Sequence, residues 1–379
     1  MKNFLSRGMR QGVSIARYNI IIMKNFPIHG ANPENLYRFF NVQIPEKILD
    51  FSTNTNIFSD SLTDSIFDLD VKKLVSNYPD PTCKKLREII AEREKISPEK
   101  ILFTNGTNEA IFLLANLLRS RSSVIFQPCY SEYVRAFIKA ENIFIGEGST
   151  ITPRYPAKTF NINVDTTEVV SNVFITANPN NPIGYFMDNL SGLIKKYPGV
   201  IFVVDEAYID FLIGGEPERL CDFENVVLLR SLTKFYHLSG ARIGYVIANE
   251  YIINALKNFQ PAWSVNAVAQ ELALRFLNDK DFYENSRNFY KENTPVFMDK
   301  LKDSGFQVID SDVHFFMIKV EKDEEIMKLL LESGIVVRHT RNFLGLKEKY
   351  IRVATKRPEE NEFFIETLTN IRNSHLDYF

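Results

Sequence analysis

Three observations predict an α/β fold for this chain. Short apolar runs of strand length alternate with helically spaced segments, the runs are continuously apolar, and polar turn-forming residues gather just after them. Continuous apolarity marks strands buried on both faces, so a mostly parallel sheet between helices is expected.

Taken in order, Asn108 to Leu118 carries Ala110, Ile111, Leu113, Leu114, Leu117 and Leu118 at helical spacing after the punctuated stretch Thr104-Asn105-Gly106-Thr107. A loop followed by a helix is predicted. Buried strands follow at Val124 to Phe126, Val173 to Ile175, Val200 to Val204, Val226 to Leu229 and Ile243 to Ile247, with helices at Ser131 to Ala140 and Asn189 to Tyr197. From Asp281 the pattern changes: a long charged helix from Phe282 to Asp303, a strand from His314 to Val320, a helix from Asp323 to Glu332, a strand from Tyr350 to Ala354 and a closing helix from Pro358. The expected organisation is an arm over residues 1–28, a segment over 29–58 that joins the small domain, a large domain over 59–280 and a small α+β domain over 281–379.

The 379 residues are 45% hydrophobic and 24% charged, an ordinary globular composition that excludes collagen, coiled-coil and disordered classes. With 45 Lys and Arg against 47 Asp and Glu, the net charge of -2 gives no electrostatic reason to expect nucleic acid. No apolar run approaches the roughly 18 to 20 residues of a membrane span, and residues 1–17 lack the apolar core and cleavage site of a secretory signal. Cys83, Cys129 and Cys221 are odd in number, widely spaced and without a metal-ligand pattern, so reduced thiols in a cytoplasm and no metal are expected. Met1-Lys2-Asn3-Phe4 recurs as Met23-Lys24-Asn25-Phe26, so residues 1–22 read as an upstream start or a flexible arm.

Ligands of such sheets bind at the carboxyl ends of the strands, and five of these junctions are rich in polar groups. Thr104 to Asn108 opens a helix, the usual seat of a phosphate, although such caps start many helices. Gln127-Pro128-Cys129-Tyr130 offers a flat aromatic surface or a rim tyrosine. Asn178 to Gly184 holds more amides than turn chemistry requires. Asp205 follows four apolar residues, either as a helix cap or as a buried carboxylate that needs a cationic partner. Lys234 and Arg242 lie in the loop after Leu229, where a lone lysine would be solvated.

Together these groups are what pyridoxal 5'-phosphate requires. Lys234 would supply the amine that reacts with the cofactor aldehyde, and Asp205 the anion that keeps the ring nitrogen protonated. Gly106, Thr107, Asn108, Ser231 and Arg242 would hold the phosphate. Asn181 and Tyr208 would hydrogen-bond the phenolic oxygen, with Tyr130 stacked on the ring.

Asn181-Pro182-Ile183-Gly184, Asp205-Glu206-Ala207-Tyr208 and Ser231-x-x-Lys234 with Arg242 stand in the order and spacing of the fold type I pyridoxal-phosphate enzymes, the aspartate aminotransferase superfamily, which the chain resembles from about His29 onward. Ile183 replaces the family's threonine. The resemblance implies a large domain with a mostly parallel seven-stranded sheet and a smaller α+β domain. His29-Gly30-Ala31-Asn32, Asp50 to Asn56, Arg230 to Tyr236 and Trp263-Ser264-Val265-Asn266 are similar to motifs of threonine-phosphate decarboxylases, with histidinol-phosphate aminotransferases as close relatives. Ala31 departs from the family's second glycine.

By this resemblance Arg352 would bind the substrate α-carboxylate, Arg338 with Asn54, His29 and Gly30 the substrate phosphate, and Asn181 would contact substrate as well as cofactor. For Arg338 a solvated charge, and for His29 a capping or surface role, are the alternatives. Tyr78 would reach the cofactor phosphate of a neighbouring subunit, which implies a homodimer. Catalysis is expected from Lys234, Asp205 and Tyr208, acting on a small phosphorylated amino acid. The motifs at His29 to Asn32 and Asp50 to Asn56 imply a decarboxylase of serine or threonine phosphate, with an aminotransferase of a phosphorylated amino compound as the alternative, because the bond held perpendicular to the ring is the one that breaks. A regulator on this scaffold would need an attached DNA-binding domain, for which the stretch before His29 is too short.

Overall fold

The structure, a computed structural model, describes residues 26–27, 30–58, 66, 68–137, 143–147, 172–346 and 349–379. The expected arm up to residue 25 and His29 lie outside the described residues.

The chain enters through helix α1 (Pro33–Phe40), strand β1 (Leu49–Asp50) and helices α2 (Val71–Ser76) and α3 (Lys84–Glu94). There follow β2 (Ile101–Thr104), α4 (Gly106–Leu117), β3 (Ser123–Gln127), α5 (Ser131–Phe137), β4 (Ile143–Glu147), β5 (Val173–Ala177), α6 (Leu190–Lys196), β6 (Ile201–Asp205), β7 (Val226–Ser231), α7 (Leu232–Phe235) and β8 (Gly244–Ile247). Strands β2 to β8 form one seven-stranded sheet in the order β2-β8-β7-β6-β5-β3-β4. Strands β3 to β7 pair in parallel, whereas β8 is antiparallel to both of its neighbours.

Every residue of β5 is buried, as are all but the first of β6. Strand periodicity divides them between two cores: Phe202 and Val204 of β6 pack in one, Val203 in the other. Both faces are therefore covered, which explains the absence of alternation along these strands. Strands β2 and β4 were not expected from the sequence; β2 is four residues long and abuts the loop before α4.

Helices α8 (Glu250–Lys257), α9 (Ala267–Asn278) and α10 (Lys280–Asp303) lead into β9 (Val308–Ile309), β10 (Phe315–Lys319), α11 (Asp323–Glu332), β11 (Ile335–Val336), β12 (Arg338–His339), β13 (Tyr350–Ala354) and α12 (Pro358–Ser374). A four-stranded antiparallel sheet of order β12-β13-β10-β9 forms here, and β1 pairs in parallel with β11 through Leu49 with Ile335 and Asp50 with Val336. Phe51, Phe297, Phe316 and Phe364 fill a third core between these elements. No helix among the described residues is long and apolar enough to cross a membrane.

Candidate active site

The parallel strands deliver their polar ends to one edge of the large sheet. Asp205, the last residue of β6, is 6% exposed; its Oδ2 accepts from Tyr133 Oη at 2.5 Å and its Oδ1 from the Ala207 N–H at 2.9 Å. Burial raises its carboxyl pKa, and the Tyr133 and Ala207 hydrogen bonds and the charge of Lys234 oppose the rise. Burial, with help from Arg242 and Arg352, pushes the Lys234 amine down to about 8. Lys234 lies in the short helix α7 rather than in the loop expected from the sequence, and Asn56 locks this helix to the N-terminal segment: its N–H donates to the Lys234 carbonyl at 3.0 Å and its Nδ2 to the Phe235 carbonyl at 2.9 Å.

Helix α4 begins at Gly106 with φ +71, and its first-turn N–H groups have no partners within the helix. A Cβ on Gly106 would stand 2.6 Å from Arg242 Nη2, so glycine is required for the guanidinium to lie over this helix end. Thr107 and Asn108 follow in the same turn, and Asn108 Oδ1 is buried without a hydrogen-bond partner. Ser231 Oγ shares a hydrogen bond of 2.7 Å with Thr233 Oγ1. The loop is braced from behind, where Glu109 accepts from the Asn105 N–H at 2.6 Å and from Ser264 Oγ.

Two guanidinium groups line the small-sheet side. Arg352 on β13 donates through Nη1 to Asn181 Oδ1 at 2.5 Å and through Nη2 to the Ser52 carbonyl at 2.8 Å, while its buried Nε has no partner. Arg338 on β12 pairs in register with Arg352 and donates to Asn342 Oδ1 at 2.7 Å. Burial pushes Arg352 down to about 10; burial and then the charge of Arg352 push Arg338 down to about 9. Both remain charged at neutral pH, and an anion would relieve both. A Cβ on Gly30 would lie 3.3 Å from the Ser52 carbonyl and 3.4 Å from Arg338 Cδ, which sets this segment against the arginine. Asn54 donates to Tyr208 Oη at 3.4 Å and leaves its Oδ1 buried and unpartnered.

The structure thus gathers Asp205, Tyr208, Lys234, Asn54, Asn181, Arg338 and Arg352 into one linked cluster, with Gly106 and Arg242 in contact beside it. Tyr130 stands edge-on to Tyr133, 5.8 Å between ring centroids. Tyr78 lies apart, 81% exposed and packed on Trp263 at 4.7 Å. Tyr133 and Asn56 escaped the reading of the sequence. Tyr133 carries a helical signal, since it stands three positions after Tyr130, and Asn56 ends the motif that begins at Asp50.

The family model for aminotransferase class I and II matches residues 46–368. The chain belongs to this family. Its cofactor is pyridoxal phosphate. The chain is 29% identical over 372 residues to the adenosylcobalamin biosynthesis bifunctional protein CobDQ of Leptospira interrogans, covering 92% of this chain and 41% of that relative's length. It is 30% identical over 310 residues to a histidinol-phosphate aminotransferase of Thermoanaerobacter pseudethanolicus, covering 78% of this chain and 85% of the relative. The solved L-threonine-O-3-phosphate decarboxylase of Porphyromonas gingivalis superposes with a TM-score of 0.76 at 28% identity, covering 86% of this chain and all of the other.

The residues present fit that cofactor. A helix N-terminus left open at Gly106 beneath a guanidinium suits a phosphate, a buried carboxylate at Asp205 suits a cationic ring nitrogen, and Lys234 offers an amine of lowered basicity.

Proposed function

We propose that the chain is a pyridoxal-phosphate-dependent decarboxylase of an O-phospho-L-amino acid, serine phosphate or threonine phosphate, that yields carbon dioxide and a phosphorylated amino alcohol. The observation that carries this reading is the pair of buried guanidinium groups on adjacent strands, Arg338 and Arg352. Such a substrate brings two anions, a carboxylate and a phosphate, to two cations that lack solvent.

In this reading Gly106, Thr107, Asn108, Ser231 and Arg242 hold the cofactor phosphate, Tyr130 covers the ring, and Asn181 and Tyr208 hydrogen-bond its phenolic oxygen. Bound pyridoxal phosphate supplies an aldehyde for the substrate amine and a protonated ring that draws electrons from the bond being broken. Asp205 keeps a negative charge buried beside that ring. Lys234 Nζ provides the amine and can carry a proton to or from the reacting carbon. Arg352 orients the substrate carboxylate, and Arg338, Asn54 and Gly30, with His29, bind the substrate phosphate. Cofactor contacts fall within 59–280, and substrate contacts within 29–58 and 281–379 as well. A second copy of the chain receives Tyr78, a role that the exposed Tyr78 and Trp263 rings support, and a cytoplasmic location suits the reduced cysteines.

The 30% identity to a histidinol-phosphate aminotransferase supports a second reading, transamination of a phosphorylated amino compound. Incubating the loaded protein with O-phospho-L-serine or O-phospho-L-threonine, without any keto acid, separates the two. Catalytic carbon dioxide with phosphoethanolamine or aminopropanol phosphate in the NMR spectrum supports the decarboxylase. Turnover that begins only after a keto acid is added overturns it in favour of transamination.

A further inference from the structure

We infer that Tyr133 is a positioning residue of this site, acting through Asp205 to keep that carboxylate ionised and correctly turned. The inference rests on the cofactor reading above and adds a residue to it.

Tyr133 is 2% exposed and sits on α5, so its hydroxyl has no water to satisfy it. It donates instead to Asp205 Oδ2 at 2.5 Å, while the Ala207 N–H holds Oδ1 at 2.9 Å. One fixed donor on each oxygen sets the plane of the carboxylate, and each oxygen can still accept from a further donor. A short hydrogen bond to an ionised acceptor is of the strong kind.

The surroundings explain why such a donor is needed. Burial is the largest influence on Asp205 and favours its neutral form. Cys129, Tyr130 and Tyr133 face it from the segment after β3, Lys234 faces it from the turn after β7, and Glu206 and Tyr208 follow it along the chain. Burial raises the pKa values of Cys129 and of all three tyrosines, so these groups stay neutral and Tyr133 remains a donor. Without Tyr133, the Ala207 N–H and Lys234 alone would oppose protonation of Asp205. A tyrosine present only to fill the core would be indifferent to the ionisation of Asp205.

The test compares Tyr133→Phe, Asp205→Asn and the double variant with the wild-type full chain. In protein without cofactor, the Asp205 side-chain carbon resonance, assigned by its loss in Asp205→Asn, is expected to titrate about one to two pH units higher in Tyr133→Phe. Loaded Tyr133→Phe protein is expected to bind pyridoxal phosphate about 10- to 100-fold more weakly, yet to be linked to it at Lys234 by borohydride as the wild type is. In the Asp205→Asn background, Tyr133→Phe should change affinity little. Equal losses in both backgrounds, or an unchanged Asp205 titration, would overturn the inference. If Tyr133→Phe does not fold, 3-fluorotyrosine at this position keeps the shape and strengthens the donor, so Asp205 must titrate lower; no movement overturns the inference. Wild-type protein that takes up no pyridoxal phosphate would sink the cofactor reading itself, a separate result because the Asp205 titration is read without cofactor.

Discussion

Arg242 Nη2 lies 2.6 Å from the point where a Cβ on Gly106 would stand. The guanidinium and the start of α4 therefore close on one another only because the helix opens with glycine. Gly106→Ala is expected to displace Arg242 and to strain a backbone held at φ +71. Loss of one charge-assisted phosphate contact predicts affinity for pyridoxal phosphate weakened by roughly 10- to 100-fold in a cofactor titration. Affinity equal to wild type would show that the phosphate binds elsewhere.

The Lys234 amine, pushed down to about 8 mainly by burial, is charged below that pH and neutral above it. Only the neutral amine attacks an aldehyde, so the rate at which the protein captures pyridoxal phosphate should rise with pH and level off above about 8. Arg242 is the second cause of the depression, and Arg242→Met should move the plateau to higher pH. Stopped-flow absorbance follows both. A rate independent of pH through this range would contradict the assignment.

Arg338 and Arg352 are costly cations, buried and repelling one another. Arg338→Gln should weaken binding of the phosphorylated amino acid by about 2 to 5 kcal/mol while affecting the unphosphorylated one far less. The same change should raise the urea midpoint of the substrate-free protein, because a desolvated charge is removed. Calorimetric titration and urea unfolding read the two effects, and equal losses for both amino acids would remove Arg338 from the phosphate seat.

Ala31 stands at φ +70, in the left-handed region where a side chain is strained. This is the position at which the related motif carries a second glycine. Ala31→Gly should stabilise the protein by about 0.5 to 1 kcal/mol, the relief of strain less the entropy lost on fixing a glycine. Urea unfolding checks it, and a destabilised variant would mean that the methyl group packs usefully.

Much of the fold was legible in the sequence because two-sided burial leaves a plain mark. The continuous apolar runs that became β5, β6 and β7 could belong only to covered strands, and the polar groups after them had to stand at one edge of the sheet. The groups proposed to hold the cofactor were legible for a related reason: Asp205, Ser231 and Lys234 lie at or close to strand ends, so their place follows from local order. Composition and strand length carried no information on direction, and the antiparallel run of β8 followed only from its pairing with β2 and β7.

The rest needed contacts between residues distant in the chain. Tyr133 is 72 positions from Asp205, Asn181 is 171 from Arg352, and Asn56 is 179 from Phe235. A hydrogen bond across such a separation leaves no periodicity, since neither partner's neighbours change when the bond is made. Residue order alone marked the buried strands β3, β5, β6 and β7, the polar groups at their ends and the chemistry those groups can hold, but not β2 or β4. The tertiary structure alone decided that two arginines would share a dry wall and that a buried tyrosine would face the carboxylate, because burial and mutual distance set the energy of a charge and both arise only when the chain closes on itself.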